Sequence, residues 1–258
     1  MHKYKDTIYY SDLLNDDFGS AIEQNPLPKH YKYYSENLIN HLIDFILYRI
    51  FVRPIALLYN KIMFHQKFVN KKLLKKVKGG YFIYSNHTAF AGDAFTPNIL
   101  EFKRKNYIVV GRETASLTSI IYLLRTLGAI PLSNNMSDMK QYFNCIKKRS
   151  KNSSITIYPE AHIWPYYTDI RPFNSNAFKY PAKFNKPIFT LTNCYQKKKF
   201  GKRPRIISII NGPYYPKKEF NVKENSIFLR NIAYQNMKYA ATHYSTYEYY
   251  KYEYKEKN

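Results

Sequence analysis

The sequence predicts an α/β fold: a mostly parallel twisted sheet flanked by helices and preceded by an amphipathic helical segment. Three observations indicate this class. Short apolar runs alternate with helix-length stretches from residue 79 onwards. The 258-residue chain has a globular composition, with 45% hydrophobic and 23% charged residues. Polar residues cluster where several of the apolar runs end, as they do at the carboxyl ends of parallel strands.

The strand-like runs are short, apolar and rich in β-branched or aromatic residues. They cover residues 80–85, 106–110, 129–132, 154–158, 187–193 and 205–210. Helix-length stretches lie at 93–103, 115–127, 136–150 and 176–184, and the tyrosine-rich segment 224–254 reads as a further helix running into a charged tail. Strands that alternate with helices in this way favour parallel pairing through right-handed crossovers.

The N-terminal part of the chain divides into two segments before this domain. Residues 1–36 are polar and lack a period, which predicts an irregular arm, and they lack the apolar core of a signal peptide. Residues 37–78 carry apolar side chains at helical spacing, with Pro54 marking a kink or a break. Charged residues keep every uncharged run there below the roughly 20 residues that span a bilayer. We therefore expect a membrane-associating helical segment, with packing on the domain as the alternative, followed by one α/β domain over 79–258.

The charge of the chain implies an anionic partner or a compositional bias. Its formal net charge is +23, and lysine, asparagine and tyrosine are abundant. An anionic membrane surface and nucleic acid are both compatible with this charge. The two cysteines, Cys145 and Cys194, lie far apart in apolar surroundings and predict reduced, buried thiols.

The motif YSNHTAFAGDAFTP follows the first strand-like run and contains Asn86, His87 and Asp93. A histidine at a strand end with a carboxylate one turn further on has the groups needed to deprotonate a hydroxyl, because the carboxylate orients the imidazole and stabilises its charged form. Gly92 is expected to let the backbone bend so that the two side chains meet. An ordinary loop histidine is the structural alternative for His87.

Two further clusters follow later strand-like runs. One runs from Gly128 to Asn134, and the other contains Pro159 and Glu160 and continues to Arg171. The ordered set resembles the glycerolipid acyltransferase family, which carries an Asn-His block ending in aspartate, a glycine-to-arginine block, a Pro-Glu-Gly block and a proline-led apolar strand. The resemblance covers roughly residues 80–193.

The chain departs from the family pattern at three places. Five residues rather than four separate His87 from Asp93, which marks a divergent branch. Asn134 stands where the family has arginine, and Ala161 stands where it has glycine. The cation that binds the acceptor phosphate must then come from elsewhere, and Arg171 is the candidate because a guanidinium binds phosphate in a bidentate manner.

The resemblance implies transfer of a fatty acyl group from an acyl thioester to the hydroxyl of a lysoglycerophospholipid, with His87 as general base and Asp93 as its partner. The residues implied in substrate binding are Asn86, Gly128, Asn134, Glu160 and Arg171. Acyl-CoA or acyl-carrier protein is the co-substrate, and neither a cofactor nor a metal is expected. The implied partners are the bilayer and the lyso-lipid, and the implied location is peripheral or monotopic on the cytoplasmic face of the membrane.

Two other functions remain open at this stage. A basic, non-catalytic protein that binds nucleic acid would account for the charge and would use some of the 28 tyrosines as stacking surfaces. The tyrosines lie mostly at the termini and within strands, however, so nucleic acid is not the expected partner. An acyltransferase that acts on a glycolipid acceptor is the second alternative.

Overall fold

A computed structural model describes residues 4–19, 31–34, 37–89, 91–111, 121–133, 136–201 and 203–256. Its strands are β1 (Asp6–Tyr10), β2 (Lys67–Val69), β3 (Tyr81–Ser85), β4 (Asn106–Val110), β5 (Ala129–Pro131), β6 (Ser154–Ile157), β7 (Ile188–Gln196), β8 (Arg205–Tyr214) and β9 (Tyr250–Tyr254). Its α-helices are α1 (Leu38–Ile46), α2 (Arg53–Phe64), α3 (Ala91–Phe95), α4 (Ile121–Leu127), α5 (Met136–Arg149), α6 (Lys179–Phe184) and α7 (Val222–Tyr244).

The central sheet has the strand order β2-β8-β7-β3-β6-β4-β5. Strands β7, β3, β6, β4 and β5 are mutually parallel, whereas β8 runs antiparallel to β7 and β2 runs parallel to β8. All five residues of β3 are buried, as expected for a central strand that is covered on both faces. The predicted α/β class with a mostly parallel sheet is confirmed, and β2 is a strand that the sequence did not predict.

Helices cover both faces of the sheet. On one face, α7 begins with a capping box between Asn221 and Glu224 and packs Ala240 against Cys194 of β7. On the other face, Phe64 at the end of α2 packs against Tyr195. The carboxyl ends of β3, β6 and β7 therefore lie side by side, with α2 and α3 beside them.

The two ends of the chain form a second, two-stranded sheet. Within the segment 1–36, predicted to be irregular, β1 pairs in parallel with β9, and the helix predicted over 224–254 ends at Tyr244. Trp164 explains this pairing, because its ring stacks on Tyr252 at a centroid distance of 5.1 Å and contacts Tyr10 at 4.9 Å. Local sequence patterns do not reveal a pairing between strands from opposite ends of a chain.

Helices α1 and α2 are joined by a π-helical segment, Leu47–Val52, and Pro54 occupies the first turn of α2. The break predicted at Pro54 is thus a change of helical type, because proline lacks the N–H that a continuous α-helix would use. Helix α1 buries no residue, and α2 buries a narrow stripe that ends at Phe64. No helix in the described part of the chain combines the length and the apolar character needed to cross a bilayer.

Candidate active site

His87 and Asp93 meet at the carboxyl edge of the sheet. His87 lies two residues beyond the end of β3, Asp93 lies in α3, and His87 Nδ1 is 2.8 Å from Asp93 Oδ2. The His87 side chain is 25% exposed, whereas that of Asp93 is 3% exposed. Among the residues that the structure describes, none hydrogen-bonds to His87 Nε2. The imidazole is therefore held by a buried carboxylate through Nδ1, while its side chain remains partly exposed.

The Asp93 carboxylate is held by further donors. The backbone N–H of Ala89 donates to Oδ2 at 3.0 Å, and the Asn193 side-chain amide donates to Oδ1 at 3.3 Å. Gly92 adopts a helical conformation within α3, so the prediction of a sharp bend at this residue is wrong. Its role is close packing, because a Cβ there would lie 3.0 Å from the Phe64 ring. Helix α3 can therefore approach α2 closely enough to present Asp93 to His87.

Tyr158 fixes the plane of the His87 ring. The two rings stack with centroids 4.6 Å apart at an interplanar angle of 28°. The Tyr158 hydroxyl donates to the backbone carbonyl of Asp93 at 2.6 Å, which connects β6 to α3. Burial and the nearby Asp93 charge raise the pKa of Tyr158 well above its ordinary value, so the hydroxyl stays a donor at neutral pH.

Glu160 lies in the interior and orients the backbone of the site. Its carboxylate accepts the His87 backbone N–H at 2.9 Å through Oε2 and the Arg171 backbone N–H at 2.9 Å through Oε1. Burial raises the pKa of Glu160, while the Arg171 charge and these two N–H donors act in the opposite direction. This geometry favours a role for Glu160 in holding the loop that carries His87 over the substrate-binding role that the resemblance implies.

Arg171 is also internal, with both its side chain and that of Glu160 0% exposed. Its guanidinium donates to the backbone carbonyl of His162, lies 3.9 Å from Glu160 and stacks over Trp164 at 4.9 Å. A phosphate would have to displace these partners. The position of Arg171 therefore favours a structural role over the phosphate-binding role that the sequence predicts.

The remaining predicted site residues occupy different places. The Asn86 side chain is buried and bonds to the backbone of Asn193 on β7. Gly128 precedes β5 and lies at the amino end of the parallel strands, opposite to His87, so the structure does not bring it to the site. Its φ is +105°, and a Cβ there would lie 2.6 Å from the Asn106 carbonyl oxygen, which explains the glycine. Asn134 lies outside the described residues.

Two residues at the site have no counterpart among the predictions. The sequence pattern places Tyr158 and Asn193 only as the last residues of the strand-like runs 154–158 and 187–193. An asparagine in the interior of a strand is a usable signal, because a buried amide must find polar partners. The stacking of Tyr158 on His87 leaves no such trace in the sequence.

The fold is that of a known enzyme. The chain is similar to the crystal structure of the 1-acyl-sn-glycerophosphate (LPA) acyltransferase, PlsC, from Thermotoga maritima, with a TM-score of 0.54 over 81% of this chain and 89% of that chain. Sequence identity in this comparison is 12%. Neither a protein-family model nor a curated protein matches the sequence. At this identity the similarity establishes a common fold, and function must be inferred from the side chains of the site.

Proposed function

We propose that this protein is an O-acyltransferase of phospholipid synthesis, which moves a fatty acyl group from an acyl thioester to the hydroxyl of a lysoglycerophospholipid such as 1-acyl-glycerol-3-phosphate. The observation that carries the proposal is the hydrogen bond between His87 Nδ1 and Asp93 at the carboxyl edge of the sheet, in a histidine side chain that is 25% exposed. Ligands bind at this edge in open α/β folds. The fold shared with a lysophosphatidic acid acyltransferase supports the same reaction.

The proposed reaction needs no covalent enzyme intermediate. Nε2 of His87 takes the proton of the acceptor hydroxyl as its oxygen attacks the thioester carbonyl carbon. Asp93 stabilises the imidazolium that forms. The tetrahedral intermediate then collapses, the carbon–sulfur bond breaks, and the thiol of the donor leaves with the proton returned by His87. The products are the acylated lipid and free CoA or carrier-protein thiol.

Acyl transfer by the intact chain tests this function. Isotope-labelled palmitoyl-CoA and palmitoyl-carrier protein are offered separately with lysophosphatidic acid, other lysoglycerophospholipids and a glycolipid, and the products are identified by mass spectrometry. We expect the labelled chain in a diacyl glycerophospholipid. If the label appears only in the glycolipid, the acceptor is a glycolipid and not a lysoglycerophospholipid. If neither donor gives a labelled product, the protein is not an acyltransferase.

We further propose that helices α1 and α2, with the π-helical segment between them, hold the protein on the cytoplasmic face of the membrane as a peripheral or monotopic enzyme. The surface consists of large apolar side chains that are each at least 39% exposed: Leu38, Ile39, Leu42, Ile43, Phe45, Ile46, Ile50, Phe51, Ile55, Leu57, Leu58 and Ile62. An apolar surface of this extent marks an interaction site. A bilayer with anionic headgroups suits it, because the chain carries a formal charge of +23.

Charged substitutions on this surface are expected to weaken membrane binding. Burying one large apolar side chain contributes about 1.5–3 kcal/mol, so Leu42→Glu together with Ile50→Glu should weaken binding at least about tenfold. Co-sedimentation with phosphatidylglycerol vesicles measures the effect, with phosphatidylcholine vesicles as the uncharged comparison. Met139→Glu is the matched control, because Met139 is an exposed apolar residue, 45% accessible, on α5. Equal sedimentation of the double variant and the Met139→Glu control would refute docking through this surface.

A further inference from the structure

We propose that Asn193 is a positioning residue for the reaction, a third member that acts behind His87 and Asp93. This inference rests on the proposed acyltransferase function and extends it to β7 and β8. Asn193 lies near the carboxyl end of β7, and 1% of its surface is exposed. Its side-chain amide donates to Oδ1 of Asp93, the carboxylate oxygen that does not contact His87.

A chain of hydrogen bonds runs through Asn193. Gln66 Nε2 donates to Ser208 Oγ at 2.8 Å, Ser208 Oγ donates to Asn193 Oδ1 at 2.6 Å, and Asn193 Nδ2 donates to Asp93 Oδ1 at 3.3 Å. Ser208 lies directly opposite Asn193 in the antiparallel pair of β7 and β8, and it is 0% exposed. The bonds of Asn193 to Ser208 and Asp93 are therefore buried, where bulk water does not compete with them, whereas Gln66 at the end of the chain is half-buried.

The chemistry of Asp93 fixes the direction of every bond in this chain. An ionised carboxylate only accepts hydrogen bonds, so Asn193 must present its N–H₂ to Asp93 and its oxygen to Ser208. The Ser208 proton then points to Asn193, which leaves the hydroxyl oxygen to accept from Gln66. At the other oxygen of Asp93, the same rule makes His87 Nδ1 the protonated nitrogen. Nε2 is left with the lone pair that a general base needs.

The side chain of Asn193 is not needed to hold β7 in place. The contact between Asn86 and this strand uses the Asn193 backbone N–H at 2.8 Å and the Asn193 backbone carbonyl at 3.0 Å. The neighbours of Asn193 on the same face of the strand, Leu191 and Tyr195, pack in apolar clusters. Its amide is bonded instead to Ser208 and Asp93. The function of this amide is therefore to stop the carboxylate from rotating away from His87.

Asn193→Leu tests the inference, because leucine is similar in size and lacks the donor. We expect kcat for acyl transfer to fall about 10–100-fold with KM nearly unchanged, as when a supporting hydrogen bond to a catalytic group is lost. We also expect a smaller fraction of the Nδ1-protonated tautomer of His87, measured from the ¹⁵N chemical shifts of its labelled ring. Unchanged kcat and an unchanged tautomer fraction would overturn the role of Asn193.

Two further variants control the experiment. Thr192→Val changes the adjacent buried residue of β7, whose hydroxyl has no hydrogen-bond partner among the described residues, and it should leave kcat and the tautomer unchanged. Ser208→Ala releases the Asn193 amide without removing it, so a fall in kcat smaller than that of Asn193→Leu is expected. If Asn193→Leu does not fold, an unchanged tautomer in Ser208→Ala overturns the inference.

The tautomer measurement separates this inference from the proposed function. If the wild-type chain transfers no acyl group, the acyltransferase proposal fails. The tautomer fractions of wild type and Asn193→Leu still show whether Asn193 orients Asp93 and His87. A tautomer fraction that differs between the two chains would uphold the positioning role even then. If the wild-type chain is active but Asn193→Leu changes neither kcat nor the tautomer fraction, the positioning role is refuted and the acyltransferase proposal stands.

Discussion

Replacing His87 with alanine is expected to lower the rate of acyl transfer by about 10²–10⁴-fold, the usual contribution of a general base. The reason is that, among the described residues, no other histidine contacts a buried carboxylate at this edge of the sheet. The fold should survive, because Asp93 keeps the N–H of Ala89 and the amide of Asn193 as donors. Initial rates with labelled acyl-CoA and the best lyso-lipid acceptor measure the effect.

His162→Ala is the matched control for this experiment. His162 Nδ1 lies 3.4 Å from a carboxylate oxygen of Asp17, but both side chains are more than a third exposed. Such a pair contributes little in water. The control variant should therefore retain its activity. Full activity of His87→Ala, or loss of activity only in His162→Ala, would show that His87 is not the catalytic base.

Replacing Arg171 with methionine is expected to lower the free energy of unfolding by about 3–5 kcal/mol, because it leaves the buried Glu160 carboxylate without its counter-ion. The guanidinium also donates to the backbone carbonyls of His162 and Leu13, which would lose a partner in the interior. Because Glu160 accepts the His87 backbone N–H, the loop that carries His87 should loosen as well. Denaturation in urea, followed by circular dichroism, measures the change.

Lys238→Met provides the comparison for an exposed ion pair. The Lys238 and Asp169 side chains contact each other at 2.5 Å and are 40% and 44% exposed. Removing this pair should change the free energy of unfolding by no more than about 1 kcal/mol. The opposite pattern for Arg171→Met, unchanged stability with a raised KM for phosphate-bearing acceptors, would restore the phosphate-binding role that the sequence predicts.

The six strands β3 to β8 of the central sheet were predictable because each begins within a short apolar run of the sequence. Strand β3 illustrates this, since its five buried residues begin with an uninterrupted apolar run from Tyr81 to Tyr84. The pairing of β1 with β9 was not predictable, because it depends on aromatic contacts to Trp164 from both ends of the chain. Strand β2 has three residues within a lysine-rich stretch, so it produces no apolar run that would predict a strand.

The sequence by itself determined the α/β class, the placement of His87 at the end of a strand and its nearness to Asp93, since only five residues separate the two. The tertiary structure alone decided that Arg171 is internal and that Asn193 reaches Asp93 from β7. The physical reason is that the local pattern of apolar and polar residues indicates which side chains are buried, but not which other side chains they contact. Hydrogen bonds between residues a hundred positions apart exist only once the sheet has brought their strands together.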